Sequence, residues 1–139
     1  MSPSINPQRI PETILKTSLT LEEPIIIVDD LDAAVALYTS VLTAEVRRME
    51  AWGFALLSVE GRLLTVRTRE SFDKEFSEFA HRDPRITFCS NRIEMDRSLL
   101  VQAGFHVSAI IGEAGAYRAM LFADESGSSY FVYEMPSQG

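Results

Sequence analysis

The chain has 139 residues, 46% of them apolar and 24% charged, which is the size and balance of one globular domain with a single core. No apolar run approaches the roughly 20 residues that cross a bilayer, and a net charge of −7 excludes a general nucleic-acid binder, which needs a basic surface. The single cysteine, Cys89, excludes an internal disulfide, and the opening segment MSPSINPQRIPET lacks the apolar stretch of a secretory signal, so a cytoplasmic protein with no membrane partner is expected.

Residues 1–20 hold three prolines and no sustained period, which predicts an N-terminal arm, either disordered or draped over a partner subunit. One domain then runs from 21 to 139. Pro24 to Val28 is a β-branched run of the kind buried on both faces of a sheet. Asp29-Asp30-Leu31-Asp32 supplies a helix cap, and Leu31, Ala34, Val35, Tyr38, Val41 and Leu42 recur at helical spacing. Three strands are predicted next, at 45–51, 54–59 and 63–68, with Glu60-Gly61 turning between the last two. Residues 69–83 are polar apart from Phe72, Phe76 and Phe79, and read as a linker with a short helix.

The same order then returns. Arg85 to Cys89 reads as a strand, with Cys89 a buried inert thiol. Asn91 with Glu94 makes a capping pair, and Ile93, Asp96, Leu99, Leu100 and Ala103 follow the helical period up to Gly104, with Asp96 the polar exception. Strands are expected at 105–111, 117–123 and 129–134, with Asp124-Glu-Ser-Gly127 as the last turn. Shifting the chain by 61 lays Val28 on Cys89, and shifting it by 66 lays Gly61 on Gly127 and Val66 on Val132. The fold class predicted is α+β: two βαβββ modules (about 22–69 and 84–135, linker about 70–83) pairing as curled mixed sheets around a cleft, helices outside. That pattern is an internal duplication.

The segment Val28-Asp-Asp-Leu-Asp-Ala-Ala-Val-Ala-Leu-Tyr-Thr-Ser-Val-Leu42 and the hairpin Phe122-Ala-Asp-Glu-Ser-Gly-Ser128 resemble the vicinal oxygen chelate superfamily, which includes glyoxalase I, extradiol dioxygenases and bleomycin-resistance proteins. Thr43, Glu125 and Ser126 depart from its usual glycine and Pro-Asp pair. The resemblance covers residues 22–135 and implies the fold. It does not imply one reaction, because the superfamily spans enzymes and passive binders.

In metal-dependent relatives the resemblance implies four ligand positions, one on the first and one on the last strand of each half. Counting from the cap and turn residues places Glu23, Thr65, Pro84 and Phe131 there, and a slip of one offers Arg85, Tyr130 or Val132. Glu23 alone is a good donor, whereas a divalent ion wants three or four nitrogen or oxygen ligands. His81 falls in the linker and His106 beside a helix end, and alternation turns Glu134 away from the ligand face. No metal site and no cofactor are therefore expected.

If Phe131 points into the cleft, Tyr133 shares its face, as do Thr65 and Arg67 on the equivalent strand. With Trp52, Phe54 and Tyr117 these residues form a candidate ligand site, aromatic-walled with Arg67 as its cationic feature, suited to a planar or cationic small molecule. The alternative is that the aromatics simply fill the cup. No nucleophile, general base or phosphate loop is legible. The leading expectation is a glyoxalase- or bleomycin-resistance-like protein that sequesters a drug or metabolite without catalysis. The rivals are a metal-dependent lyase or dioxygenase of the same superfamily and a non-catalytic interaction module acting as a dimer. The resemblance also implies a homodimer.

Overall fold

A computed structural model describes residues 17–112 and 116–135. Strand β2 (Ile26–Val28) leads into helix α1 (Leu31–Val41), followed by β3 (Glu45–Glu50), β4 (Phe54–Val59) and β5 (Arg62–Thr68). The Asp30 carboxylate accepts from the Ala33 amide at 3.1 Å, so the cap read in the sequence starts the helix. The four strands form a sheet in the order β2-β5-β4-β3, with β2 parallel to β5 and the other neighbours antiparallel. Leu31 and Val35 of α1 pack on Ala55, Leu57 and Val66, one face of that sheet. Strand alternation sends Phe54, Leu56, Thr65 and Arg67 to the other face, away from the helix.

The second half repeats this plan with β6 (Ile86–Cys89), α3 (Ile93–Gln102), β7 (His106–Val107), β8 (Arg118–Ala123) and β9 (Ser129–Glu134), ordered β6-β9-β8-β7. Strand β7 is shorter than the sequence predicts. The chain leaves the ladder after Val107 and rejoins it only where Ile111 bridges Ala119. Ile93 and Leu100 pack on Met120, Phe122 and Val132, while Ala119, Leu121, Ala123, Phe131 and Tyr133 line the opposite face. The repeat is out of the expected register by one. The buried helix positions Leu31 and Ile93 correspond at a shift of 62, not 61. Arg85 therefore stands opposite Glu23, in place of Pro84.

One expectation about the second helix is corrected. Asn91 and Glu94 do not cap it. The helix begins one residue later, with Arg92 at the cap position, and its first amide, from Ile93, is taken by the Glu134 carboxylate of β9 at 3.0 Å. Asp96 lies on the buried stripe as the sequence places it. Fully buried, it accepts from the Ser18 amide at 3.0 Å and the Ser90 hydroxyl at 2.6 Å, with Ser18 Oγ at 2.5 Å and Arg92 Nε at 3.5 Å. These bonds fasten the chain before β1 (Thr20–Glu22), which pairs antiparallel with β6. The last residues assigned to the arm thus belong to the second sheet, while residues 1–16 and the arm's postulated drape lie outside the described residues.

The linker is neither peripheral nor mainly polar in its effect. Thr68 caps helix α2 (Arg69–Glu75) by accepting from the Ser71 amide at 3.1 Å, and a single 3-10 turn follows at Ser77–Phe79. Phe72, Phe76 and Phe79 are all fully buried, driven onto the Leu121–Phe131–Tyr133 face of the second sheet. Each contributes about 1.5–3 kcal/mol of burial, so the linker is a plug that forms a core. Its polar side is tied down by Arg69, paired with Asp73 at 3.1 Å and with Asp83.

The Asp96 latch gives a direct test. Asp96→Ala leaves the Ser18 and Ser90 hydroxyls without their buried acceptor and should cost about 3 kcal/mol. Urea denaturation should show a lowered midpoint with unchanged slope. A loss under about 0.5 kcal/mol would show that the latch contributes nothing.

Candidate functional site

The site starts at a turn. Between β3 and β4 the Gly53 amide donates to the Glu50 carbonyl at 3.0 Å, closing a tight turn over Ala51 and Trp52. Gly53 has φ +119°, and a Cβ there would lie 2.3 Å from Thr68 Oγ1, so only glycine fits. Its carbonyl accepts from the Thr68 amide at 2.9 Å and the Ser71 hydroxyl at 3.1 Å. The turn is thereby stitched to the start of α2, and it holds Trp52 over the open face of the first sheet.

Under Trp52 lies Arg67, only 2% exposed, while the indole itself is 50% exposed. The guanidinium carbon sits 4.9 Å from the indole centroid and 5.8 Å from that of Phe76. Nε donates to Ser71 Oγ at 3.1 Å and Nη2 to Glu75 Oε1 at 2.5 Å. Phe54 stacks on Trp52 at 5.7 Å and meets Tyr117 at 4.9 Å, and Tyr117 stacks on Tyr133 at 5.6 Å. These groups enclose a cavity of about 150 Å3, walled by Trp52, Phe54 and Tyr117. Arg48, Arg67 and Glu75 supply its charged atoms, and Ile111 and Ala119 close its apolar end. A wider concavity of about 400 Å3 around Glu23, Arg62 and Leu63 has no aromatic wall and no buried polar group.

Of the residues singled out in the sequence, Trp52, Phe54, Arg67 and Tyr117 come together around the cavity. Thr65 stands behind them, its hydroxyl 3.2 Å from the Tyr117 hydroxyl. Phe131 and Tyr133 face the cleft as alternation requires but are buried beneath the linker, Phe131 edge-on to Phe76 at 6.3 Å. Pocket and filled core are thus both present, side by side in the cleft. Sequence reasoning missed Arg48 and Glu75. The spacing of Phe72, Phe76 and Phe79 was the available signal that the linker, and Glu75 with it, enters the cleft.

Burial pushes the Tyr117 phenol far above its ordinary range, a rise that the Thr65 hydrogen bond and the nearby Arg67 charge only partly offset. Tyr133 is pushed up as well, by burial first and then by Cys89 and Glu22. Burial also raises the Cys89 thiol, which makes it a poor nucleophile. The histidines lie outside the cavity, His81 against Asp73 at 3.3 Å and His106 against Glu78 at 2.8 Å.

The positions where metal-dependent relatives hold an ion do not form a ligand set. Glu23 is committed to Arg62 at 2.5 Å, Thr65 to Tyr117, and Phe131 offers no donor. Arg85, the register match of Glu23, is itself a cation. Among the described residues no group of three or more His, Cys, Asp or Glu side chains converges. This donor set does not fit a divalent ion.

Two sheets of order 1-4-3-2, each with a helix on one face and a shared cleft on the other, make a glyoxalase-like fold. Similar solved structures carry that fold. Methylmalonyl-CoA epimerase from Mycobacterium tuberculosis matches with a TM-score of 0.66 and 17% identity over 88% of this chain and 93% of that one. The Streptomyces coelicolor methylmalonyl-CoA epimerase, solved with 2-nitronate-propionyl-CoA, gives 0.61 and 18% over 86% and 100%. A glyoxalase/bleomycin resistance protein/dioxygenase superfamily member from Vibrio splendidus 12B01 gives 0.54 and 12% over 84% and 98%. No protein-family model and no curated protein matches the sequence. No helix among the described residues is long and apolar enough to cross a membrane.

The buried phenols make stability fall in alkali. Unfolded tyrosine titrates near 10, and above that pH the unfolded chain releases protons that buried Tyr117 and Tyr133 retain. Their contribution is whole below about pH 10 and shrinks as pH rises. Urea midpoints should drop as pH rises above about 10, and Tyr117→Phe should flatten that drop while costing about 1 kcal/mol at neutral pH. A decline equally steep in the variant would exclude Tyr117 as a source.

Proposed function

We propose that this protein is a metal-independent binder of a small planar molecule, which lies against Trp52 in the Arg67 cavity. The reading is carried by one observation: a half-exposed indole beside a nearly fully buried guanidinium at the rim of an aromatic-walled cavity. Large apolar side chains left open at a concave surface are a ligand-site signature. About 150 Å3 is the size of engineered cavities that take up benzene, so the guest's buried part is a single ring or similar group. A bulky drug of the bleomycin kind exceeds that space, which favours a metabolite. The Arg67 guanidinium in the cavity wall favours a planar guest over a cationic one.

The donor set at Glu23, Thr65, Arg85 and Phe131 speaks against a metal-dependent lyase or dioxygenase. The epimerase neighbours share the architecture at under 20% identity, too distant to carry their reaction here. Trp52 is the single tryptophan, so its fluorescence reports this site alone. Benzyl alcohol should produce a saturable change with a Kd of about 1 mM or tighter. Ala119→Leu, which fills the cavity's apolar end, should abolish it without unfolding the protein. A wild-type signal that fails to saturate, or an Ala119→Leu protein that binds as well, would overturn the proposal.

A further inference from the structure

We infer that the guest carries a carboxylate, which docks on the open edge of the Arg67 guanidinium, and that Glu75 is an internal competitor for the same cation. This rests on the reading that the cavity takes a planar guest. Arg67 spends Nε on Ser71 and one proton of Nη2 on Glu75. Nη1 has no hydrogen-bond partner among the described residues, and Arg67 lines the cavity. The end of a guanidinium, Nη1 with the second Nη2 proton, is the fork that takes a carboxylate through two parallel hydrogen bonds.

Of the two guanidiniums at the cavity, Arg48 is answered by Glu50 at 2.8 Å, which leaves Arg67 as the cation that Glu75 and a guest would share. The two partners of the ion pair also differ in freedom. The Arg67 side chain is 3% exposed and held between two rings, whereas Glu75, the last residue of α2, is 32% exposed. Glu75 can turn to water and be resolvated, and Arg67 cannot. A buried cation keeps a counter-ion at all times, so an arriving carboxylate replaces or crowds Glu75 and leaves the guanidinium paired. An aromatic carboxylate meets both requirements at once: its ring on the indole and its carboxylate on the fork. Glu75 then sets the affinity, since its charge must be moved or tolerated before the guest's is accepted.

The test compares benzoate with uncharged benzyl alcohol through Trp52 fluorescence, in the wild type, in Glu75→Gln and in Arg67→Gln. Benzoate should bind more tightly than the alcohol to the wild type. Glu75→Gln should raise the ratio of the alcohol Kd to the benzoate Kd about tenfold. Arg67→Gln should bring that ratio to about one. Should Arg67→Gln not fold, the ratio of benzoate to alcohol in the wild type and in Glu75→Gln decides alone. Alcohol binding with no benzoate preference and no effect of Glu75→Gln would overturn the carboxylate inference and leave the planar-binder reading standing. Binding of neither probe would sink both.

Discussion

A guanidinium that is almost wholly buried governs the architecture of the cleft. An isolated charge at the exposure of Arg67 would cost several kcal/mol, so the chain must bring it a counter-ion and acceptors. It brings both from one short helix: Ser71 and Glu75 lie one turn apart on α2 and reach Nε and Nη2. That requirement fixes the helix against β5 and drops Phe72 and Phe76 onto the second sheet. The rings Trp52, Phe54, Tyr117, Tyr133, Phe131 and Phe76 form an arc of contacts 4.9 to 6.5 Å apart, and Arg67, facing both Trp52 and Phe76, closes it. Cation, counter-ion and plug are one construction.

The plug divides a cleft that the two sheets would otherwise share. Over the second sheet the faces of Leu121, Phe131 and Tyr133 are covered by linker phenylalanines and behave as core. Over the first sheet the linker reaches only as far as Glu75, and the space between that residue and Trp52 stays open. The asymmetry follows from length: seven helical residues after Thr68 span about 10 Å, enough to cover one cup. An apparently hydrophilic linker has thus filled one part of the cleft and lent the open part a single carboxylate, Glu75.

Much of this was legible before any coordinates. The Asp30 cap, the start of the α1 stripe at Leu31 and Val35, and the turns at Gly61 and Gly127 are local signals, and the structure places them where the sequence does, whereas Val41 and Leu42 at the stripe's end are exposed. Alternation counted from Gly127 correctly turned Phe131 into the cleft, because a strand's two-residue period carries information along its whole length. What escaped depended on partners distant in sequence. Asp96 looks like an error in a helical stripe until Ser18, 78 residues away, is seen to bond it. Glu134 caps α3 across 41 residues, which no capping pattern near the helix could reveal. Glu75 was invisible for the same reason. Its partner Arg67 lies in the preceding strand, and only the depth to which Phe72 and Phe76 sink brings the two together.

The register slip of one residue has a chemical meaning. It sets Arg85 opposite Glu23, so one half offers a carboxylate and the other a guanidinium where a shared ion would need two like donors. Thr65 and Phe131 match across the last strands, and each is committed to a ring, the phenol of Tyr117 or the face of Phe76. Two residues beyond Thr65 on the same face, Arg67 supplies a fixed positive charge to the cleft. A guanidinium resembles a divalent ion in attracting an oxygen anion and differs in everything that makes an ion catalytic. It is a planar donor fork with no vacant coordination position, and it neither generates hydroxide from water nor acts as a strong Lewis acid. The face on which metal-dependent relatives would hold an ion thus carries, in this chain, a guanidinium already paired to the Glu75 carboxylate.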